Sequence, residues 1–288
     1  MSEIKEIRNK INSLNSTKKI TKAMEMVSIV KMKKSEIKMN SKRPYLITIK
    51  KIINNIIYNN AKYKHEFLDK RFTKSIEIIV ISTDRGLCGN LNILLFKKII
   101  QFIKNNKDKN VINNLFILGL KGASYFKSLS YNVRHYRRML KSNYTLSDFL
   151  EFIQIPLQRY RERKIDKLFL AYNTFKSTLT HIPTIIQLLP LSQEKLNNNY
   201  YWDYIYESNS EDLLDTLLND YIKFQIYQAI LENHTCEQAS RMIAMKQATD
   251  NSKDLIKQLN IIYNKARQDN ITQELTEIVS GAAAVSLY

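Results

Sequence analysis

The turn TDRGLCGN, residues 83–90, follows a β-branched run and precedes an apolar segment of helical period. Strand-to-helix turns of this kind are where doubly wound folds cradle phosphate. A dinucleotide loop needs three spaced glycines, and a phosphate loop needs Gly-Lys followed by a metal-holding hydroxyl. This turn has only Gly86 and Gly89 and no such lysine, so it reads as a tight turn that uses glycine backbone angles. Cys88 would be a nucleophile only with a base beside it, and no Cys/His signature supplies one. His65, His135, His181 and His234 stand in no metal-ligand spacing. His234 and Cys236 are two apart on a helix and do not share a face. Asp212 and Asp215 lie on an acidic helical stretch and read as a solvated face. The aromatic run YYWDYIYE, residues 200–207, contains no Lys or Arg; it reads as a packed junction or protein-binding patch rather than a single-strand stacking platform. No catalytic, cofactor-binding or metal-binding constellation emerges.

The helix breakers show what must position these residues. The 288-residue chain has five glycines and four prolines, none of them in residues 1–43 or 191–280. Two outer segments can therefore be long helices, while the middle folds back on itself. In the first arm Ile4, Ile7, Ile11 and Leu14 form an apolar stripe of coiled-coil spacing. The stripe slips and resumes at Ile20, Met24 and Val27, which predicts a local change of winding near residues 15–17. Pro44 is expected to kink or break this arm. The last arm carries Leu214, Leu217, Tyr221, Phe224, Leu231, Met242, Met245, Ile256, Leu259 and Tyr263 on one register, interrupted by Gln228, Thr235, Gln238, Thr249 and Ser252. A helix over residues 211–280 would run roughly 100 Å.

The net charge of +18 favours an acidic partner. The arms differ in sign: residues 1–43 hold twelve basic against four acidic side chains, and residues 207–288 hold seven against twelve. Opposite charge beside an apolar seam predicts antiparallel pairing of the arms. Two cysteines make no disulfide framework, and no apolar run reaches the roughly 20 residues that span a bilayer. The middle alternates strand (75–82), helix (91–104), strand (114–119), helix (121–128), a further strand (131–138), helix (147–162) and strands at 167–173 and 181–191. That order predicts a mainly parallel, Rossmann-like sheet. The expected fold is thus α/β with a long antiparallel coiled coil: an N-terminal arm over 1–60, an insert over 70–206 and a C-terminal helix over 207–288. On these residues alone a basic coiled-coil nucleic-acid-binding protein is the alternative reading, with a nucleotide-binding enzyme behind it.

The segments KITKAMEMV (19–27), STDRGLCG (82–89) and YNKARQDNITQELTEIVSGAAAV (263–285), supported by SKRPY, PTIIQLLPL, WDYIYE, LLDTLL and EQASRMIAMKQATDN, resemble the gamma subunit of the bacterial F-type ATP synthase in order and spacing over essentially the whole chain. The resemblance implies a non-catalytic central rotor shaft without a cofactor, peripheral to the cytoplasmic face of the bacterial inner membrane. It implies one copy per complex, partnered by alpha, beta and epsilon subunits and a c-subunit ring, and no nucleic acid. Carried over by position, Lys22, Met24 and Glu25 match the stretch that faces the beta-subunit levers. Arg267, Gln268, Thr272 and Glu274 match an opposing catch patch, and Arg85, Gly86 and Cys88 match a loop near the same levers. Gly281, Ala282, Ala283, Ala284 and Val285 match the tip that turns in an apolar sleeve. Tyr204, Tyr206 and Glu207 match the foot near epsilon and the c ring. Asn90 stands where the family commonly has glycine, and Asp269 and Asn270 replace small residues.

Overall fold

A computed structural model describes residues 2–59, 65–69, 71–107, 112–139, 144–191 and 210–285, and side chains over these except 2–3, 57–59, 106–107, 210–212 and 283–285. Two compact units result, Ile29–Arg241 and Met1–Ser28 with Met242–Tyr288. Helices α1 (Ser2–Asn59) and α5 (Ser210–Val285) contribute to both.

The larger unit is built on a five-stranded sheet. Its strands are β1 (Ser75–Ile81), β2 (Ile112–Leu118), β3 (Val133–Arg137), β4 (Lys167–Phe175) and β5 (His181–Leu189). The order is β3-β2-β1-β4-β5, with β5 antiparallel and the other pairs parallel. Between the strands lie α2 (Leu91–Lys107), α3 (Leu120–Ser128) and α4 (Leu150–Arg161), the last entered through a short 3-10 turn at Leu146–Phe149. β1 is buried from Ile76 to Ile81 and apolar there except at Glu77, because both of its faces are covered. Ile78 and Val80 join Leu95, Ile99, Leu115, Ile117 and Phe126 in one core under α2 and α3. On β1 the acidic Glu77 is fully buried; its carboxylate accepts from Arg159 Nε of α4 at 2.6 Å. β4 instead meets α5: Asn233 Oδ1 accepts from Asn173 Nδ2 at 2.9 Å, and the Cys236 thiol donates to the Asn173 carbonyl.

Within this unit α5 is buried on every side from Ile226 to Ala239. The cause is packing from two directions, since the same stretch that meets β4 also meets α1. Ser35 of α1 lies 3.1 Å from His234 Nδ1 and accepts from the Thr235 hydroxyl at 2.9 Å, and Gln228 donates to the Met39 carbonyl. Gln228, Thr235 and Gln238, which interrupt the apolar register, are therefore buried with hydrogen-bonded side chains, the Gln228 side-chain oxygen excepted. Pro44 lies inside α1, which continues past it. Proline removes the donor to the carbonyl of Asn40; both residues are exposed, so solvent can serve that carbonyl and no break is forced.

The smaller unit is a helix pair. Thr21 and Thr249 hydroxyls meet at 2.8 Å, and Glu25, Ser28, Thr249 and Ser252 are buried on the seam. The expected slip near residues 15–17 and the placement of Ile20 and Val27 on the seam are both corrected here. Ile20 is 60% exposed and Val27 53%. The shielded positions run Ile7, Ile11, Leu14, Lys18, Thr21, Glu25, Ser28 at unbroken spacings of four and three. The buried stripe thus keeps its heptad while its chemistry turns from apolar to hydroxyl. Small Thr and Ser side chains let the two backbones approach closely, and they satisfy their own hydroxyls by bonding back to the helix: Thr249 to Met245 and Ser252 to Ala248.

Candidate functional site

The loop that follows β1 occupies the carboxyl end of the sheet, beside the point where strand order reverses between β1 and β4. The N-terminal amides of α3, which could otherwise bind an anion, are already taken by that loop. Leu120 N–H donates to Asp84 Oδ1 at 2.7 Å, Lys121 N–H to the Thr83 carbonyl at 3.0 Å and Gly122 N–H to the Ser82 hydroxyl at 3.1 Å. Asp84 Oδ2 accepts from Met139 N–H at 2.6 Å. Gly119 closes this arrangement: at φ 103°, a Cβ there would overlap the Ser82 carbonyl.

The far side of the loop is clamped to α5. Arg241, buried on α5, donates to Glu237 Oε1 at 2.6 Å and to the Gly86 carbonyl at 3.3 Å. Ser240 donates to the Cys88 carbonyl at 2.9 Å. Burial pushes the Glu237 carboxyl above its ordinary value against the opposing pull of Arg241. Cys88 is buried and its thiol is pushed up by the same desolvation, which suits a packing role and opposes thiolate chemistry. Between the two anchors, Arg85 is exposed and Leu87 projects from a left-handed backbone at φ 62°. A bulky residue held at positive φ costs on the order of 1 kcal/mol and marks a presented side chain.

In the helix pair, Lys22 Nζ donates to Glu25 at 3.0 Å, and Met24 is half-buried beside them. Arg267, Gln268, Thr272 and Glu274 are exposed on α5. The two groups are not brought together. With Thr21 facing Thr249 in an antiparallel pair, Arg267 lies eighteen residues further along α5, roughly 27 Å at the helical rise. Asn270 is the last shielded position. Beyond it Leu275 is 58% exposed, Ile278 67% and Val279 66%. Gly281 has open space around it and Ala282 is exposed; the side chains of Ala283, Ala284 and Val285 lie outside the described set. Tyr204, Tyr206 and Glu207 also lie outside the described residues.

Sequence reasoning missed Asp84, Leu87, Glu237, Ser240 and Arg241. Their one visible signal was position, since they sit within the motifs at residues 82–89 and 237–251. Among the described residues no three His, Cys, Asp or Glu side chains gather as a metal site, and no helix is long and apolar enough to cross a membrane.

An α/β sheet inserted between two long helices that pair antiparallel, with the turn after β1 pinned at both ends, defines a class of protein in which a coiled coil carries its sheet domain as an insertion. The family model described as ATP synthase matches residues 3–285. The chain belongs to the gamma-subunit family of F-type ATP synthases. It is 69% identical over 290 residues to the ATP synthase gamma chain of Buchnera aphidicola subsp. Schlechtendalia chinensis and 66% identical over 288 residues to that of subsp. Melaphis rhois, covering all of each chain. Among solved structures, a chain of the Euglena gracilis mitochondrial ATP synthase, OSCP/F1/c-ring in rotational state 3, shares the fold with a TM-score of 0.67 at 17% identity, over 99% of this chain and 95% of that one. A central stalk and c-ring structure from Tetrahymena thermophila mitochondria gives 0.59 at 24% identity, over 80% and 99%.

Proposed function

We propose that this chain is the central rotor shaft of an F-type ATP synthase, coupling ion-driven rotation of a c ring to ATP synthesis at beta subunits and making or breaking no bond itself. The observation that carries this reading is the end of α5. Past Asn270 the helix presents Ile271, Leu275, Ile278 and Val279 to solvent, and nothing in the described chain covers them. A single helix with an uncovered apolar surface needs an apolar surround, and a ring of alpha and beta subunits supplies one. In this reading Gly281 to Val285 form the bearing tip. Lys22, Met24, Glu25, Arg85, Gly86 and Cys88 meet the beta levers, and Arg267, Gln268, Thr272 and Glu274 meet the catch further up the shaft. Tyr204, Tyr206 and Glu207 stand at the foot near epsilon and the c ring. The arms are residues 1–60 and 207–288 and the insert 70–206. One copy works per complex, peripheral to the membrane on its cytoplasmic face. Each rotational position favours one set of beta conformations through differential contact, which is what coupling requires.

Purification of the tagged chain from membranes at low salt tests this. Alpha, beta and c subunits are expected in stoichiometric amounts, and their absence sinks the proposal. A basic coiled-coil nucleic-acid-binding role predicts instead an affinity for duplex DNA that falls steeply with salt; the family membership gives it no support.

A further inference from the structure

We infer that the larger unit carries a binding site for a small, multiply charged oxyanion of the phosphate class, in the cationic cavity between α1, the turn after β1, the end of β3 and α5. The cavity holds about 250 Å³, and its charged lining is Lys31, Asp84, Arg85, Arg138, Glu237 and Arg241. The two anions are internally spent. Asp84 gives both oxygens to backbone N–H groups, those of Leu120 and Met139. Glu237 is bonded to Arg241, which also holds Gly86 and Gln238. Lys31, Arg85 and Arg138 remain: among the described residues no carboxylate lies within ion-pair distance of any of them. Three cations from three separate elements converge on one concavity with no counter-charge of their own, an arrangement that guanidinium forks and an ammonium satisfy with phosphate oxygens.

The location explains the means. In doubly wound folds phosphorylated ligands sit at the carboxyl ends of the strands on helix N-termini. Here that helix terminus is plugged by Ser82, Thr83 and Asp84, so side-chain cations beside it hold the anion. The site does not rest on the rotor reading, although occupancy would engage Arg85, the proposed lever contact.

Inorganic phosphate titrated calorimetrically into the full chain, in chloride buffer, tests the site. One saturable site is expected. The double variant Lys31→Gln with Arg138→Gln should weaken it at least about tenfold, the loss of charge-assisted hydrogen bonds at two partly solvated positions. A control that removes equal charge elsewhere, Lys257→Gln with Lys265→Gln, should bind as the parent does; both residues are exposed on α5. Where the double variant loses its helical circular dichroism, the single Arg138→Gln replaces it. Equal weakening by the control, retention of affinity in the cavity variant, or no saturable binding would overturn the inference. Displacement of phosphate by a polyglutamate peptide at lower concentration would overturn it in favour of an acidic protein segment.

Discussion

At the scale of single residues, the larger unit is held by buried groups whose partners lie far away in sequence. Arg241 and Glu237 share α5, yet their purpose is the Gly86 carbonyl of another element. Arg241→Ala leaves the buried Glu237 without its cation and should cost about 3–5 kcal/mol in urea unfolding, whereas replacing both by leucine should recover most of that. His234 makes a second, pH-dependent prediction. It is buried against Ser35, Gln238 and the Tyr144 ring, and burial with Arg241, Lys31 and Lys38 nearby pushes its pKa down to about 4 from 6.5. The native imidazole is neutral where the unfolded one takes up a proton. Its contribution is therefore complete above about pH 6.5 and lost as pH falls toward 4, at most about 3 kcal/mol. The buried carboxyls Glu77, Glu232 and Glu237 are raised by burial and act in the opposite sense, losing protons and stability as pH rises. The difference between parent and His234→Gln isolates the histidine: it should shrink between pH 7 and 4, and a constant difference would show that His234 is not buried as neutral. None of these partners was legible in the sequence, because spacing along a helix says which face a residue shares and nothing about what lies across it.

At the scale of elements, the helix pair has hydroxyls on its seam. Thr21→Val alone strands no donor, since the Thr249 hydroxyl keeps the Met245 carbonyl; the expected loss is about 1 kcal/mol. Changing Thr249→Val as well should restore the parent's melting temperature or exceed it, because two apolar groups of the same shape replace a polar pair. A loss in the double variant equal to the sum of the two single losses would mean that the hydroxyls are not coupled to each other and act only through their separate bonds back to Lys18 and Met245. The sheet elements were largely legible. β1, β2, β4 and β5 are β-branched or apolar runs between Gly, Pro and polar turns, and all were expected within a few residues. The heptad of α1 was legible only as far as Leu14. Beyond it the apolar residues Ile20 and Val27 drew attention to the wrong face, because hydrophobicity marks a seam only where the partner helix has large side chains to meet.

At the scale of the whole molecule, the proposed role separates stability from coupling. Ending the chain after Asn270 removes a helical segment whose described side chains are exposed, so the melting temperature of the isolated protein should change little, while ATP-driven ion pumping by the reconstituted complex should fall. A large loss of stability would mean that the segment folds back on the rest. Met24→Lys places a cation at the proposed lever contact; ATP hydrolysis should persist while coupling to ion transport weakens, and unchanged coupling removes Met24 from that interface. The sequence by itself determined the class: two glycine- and proline-poor arms are helices, opposite charges and an apolar stripe pair them, and alternating strands and helices form a mainly parallel sheet, with β5 alone antiparallel. Those conclusions follow from periodicity, which local backbone geometry enforces residue by residue. Only the tertiary structure decided which face of α1 is buried, that α5 is enclosed on all sides from Ile226 to Ala239, and that the turn after β1 is locked by Arg241 and Ser240 instead of opening to a nucleotide. These depend on side-chain size and charge meeting across more than a hundred residues of chain, where no local period carries the information.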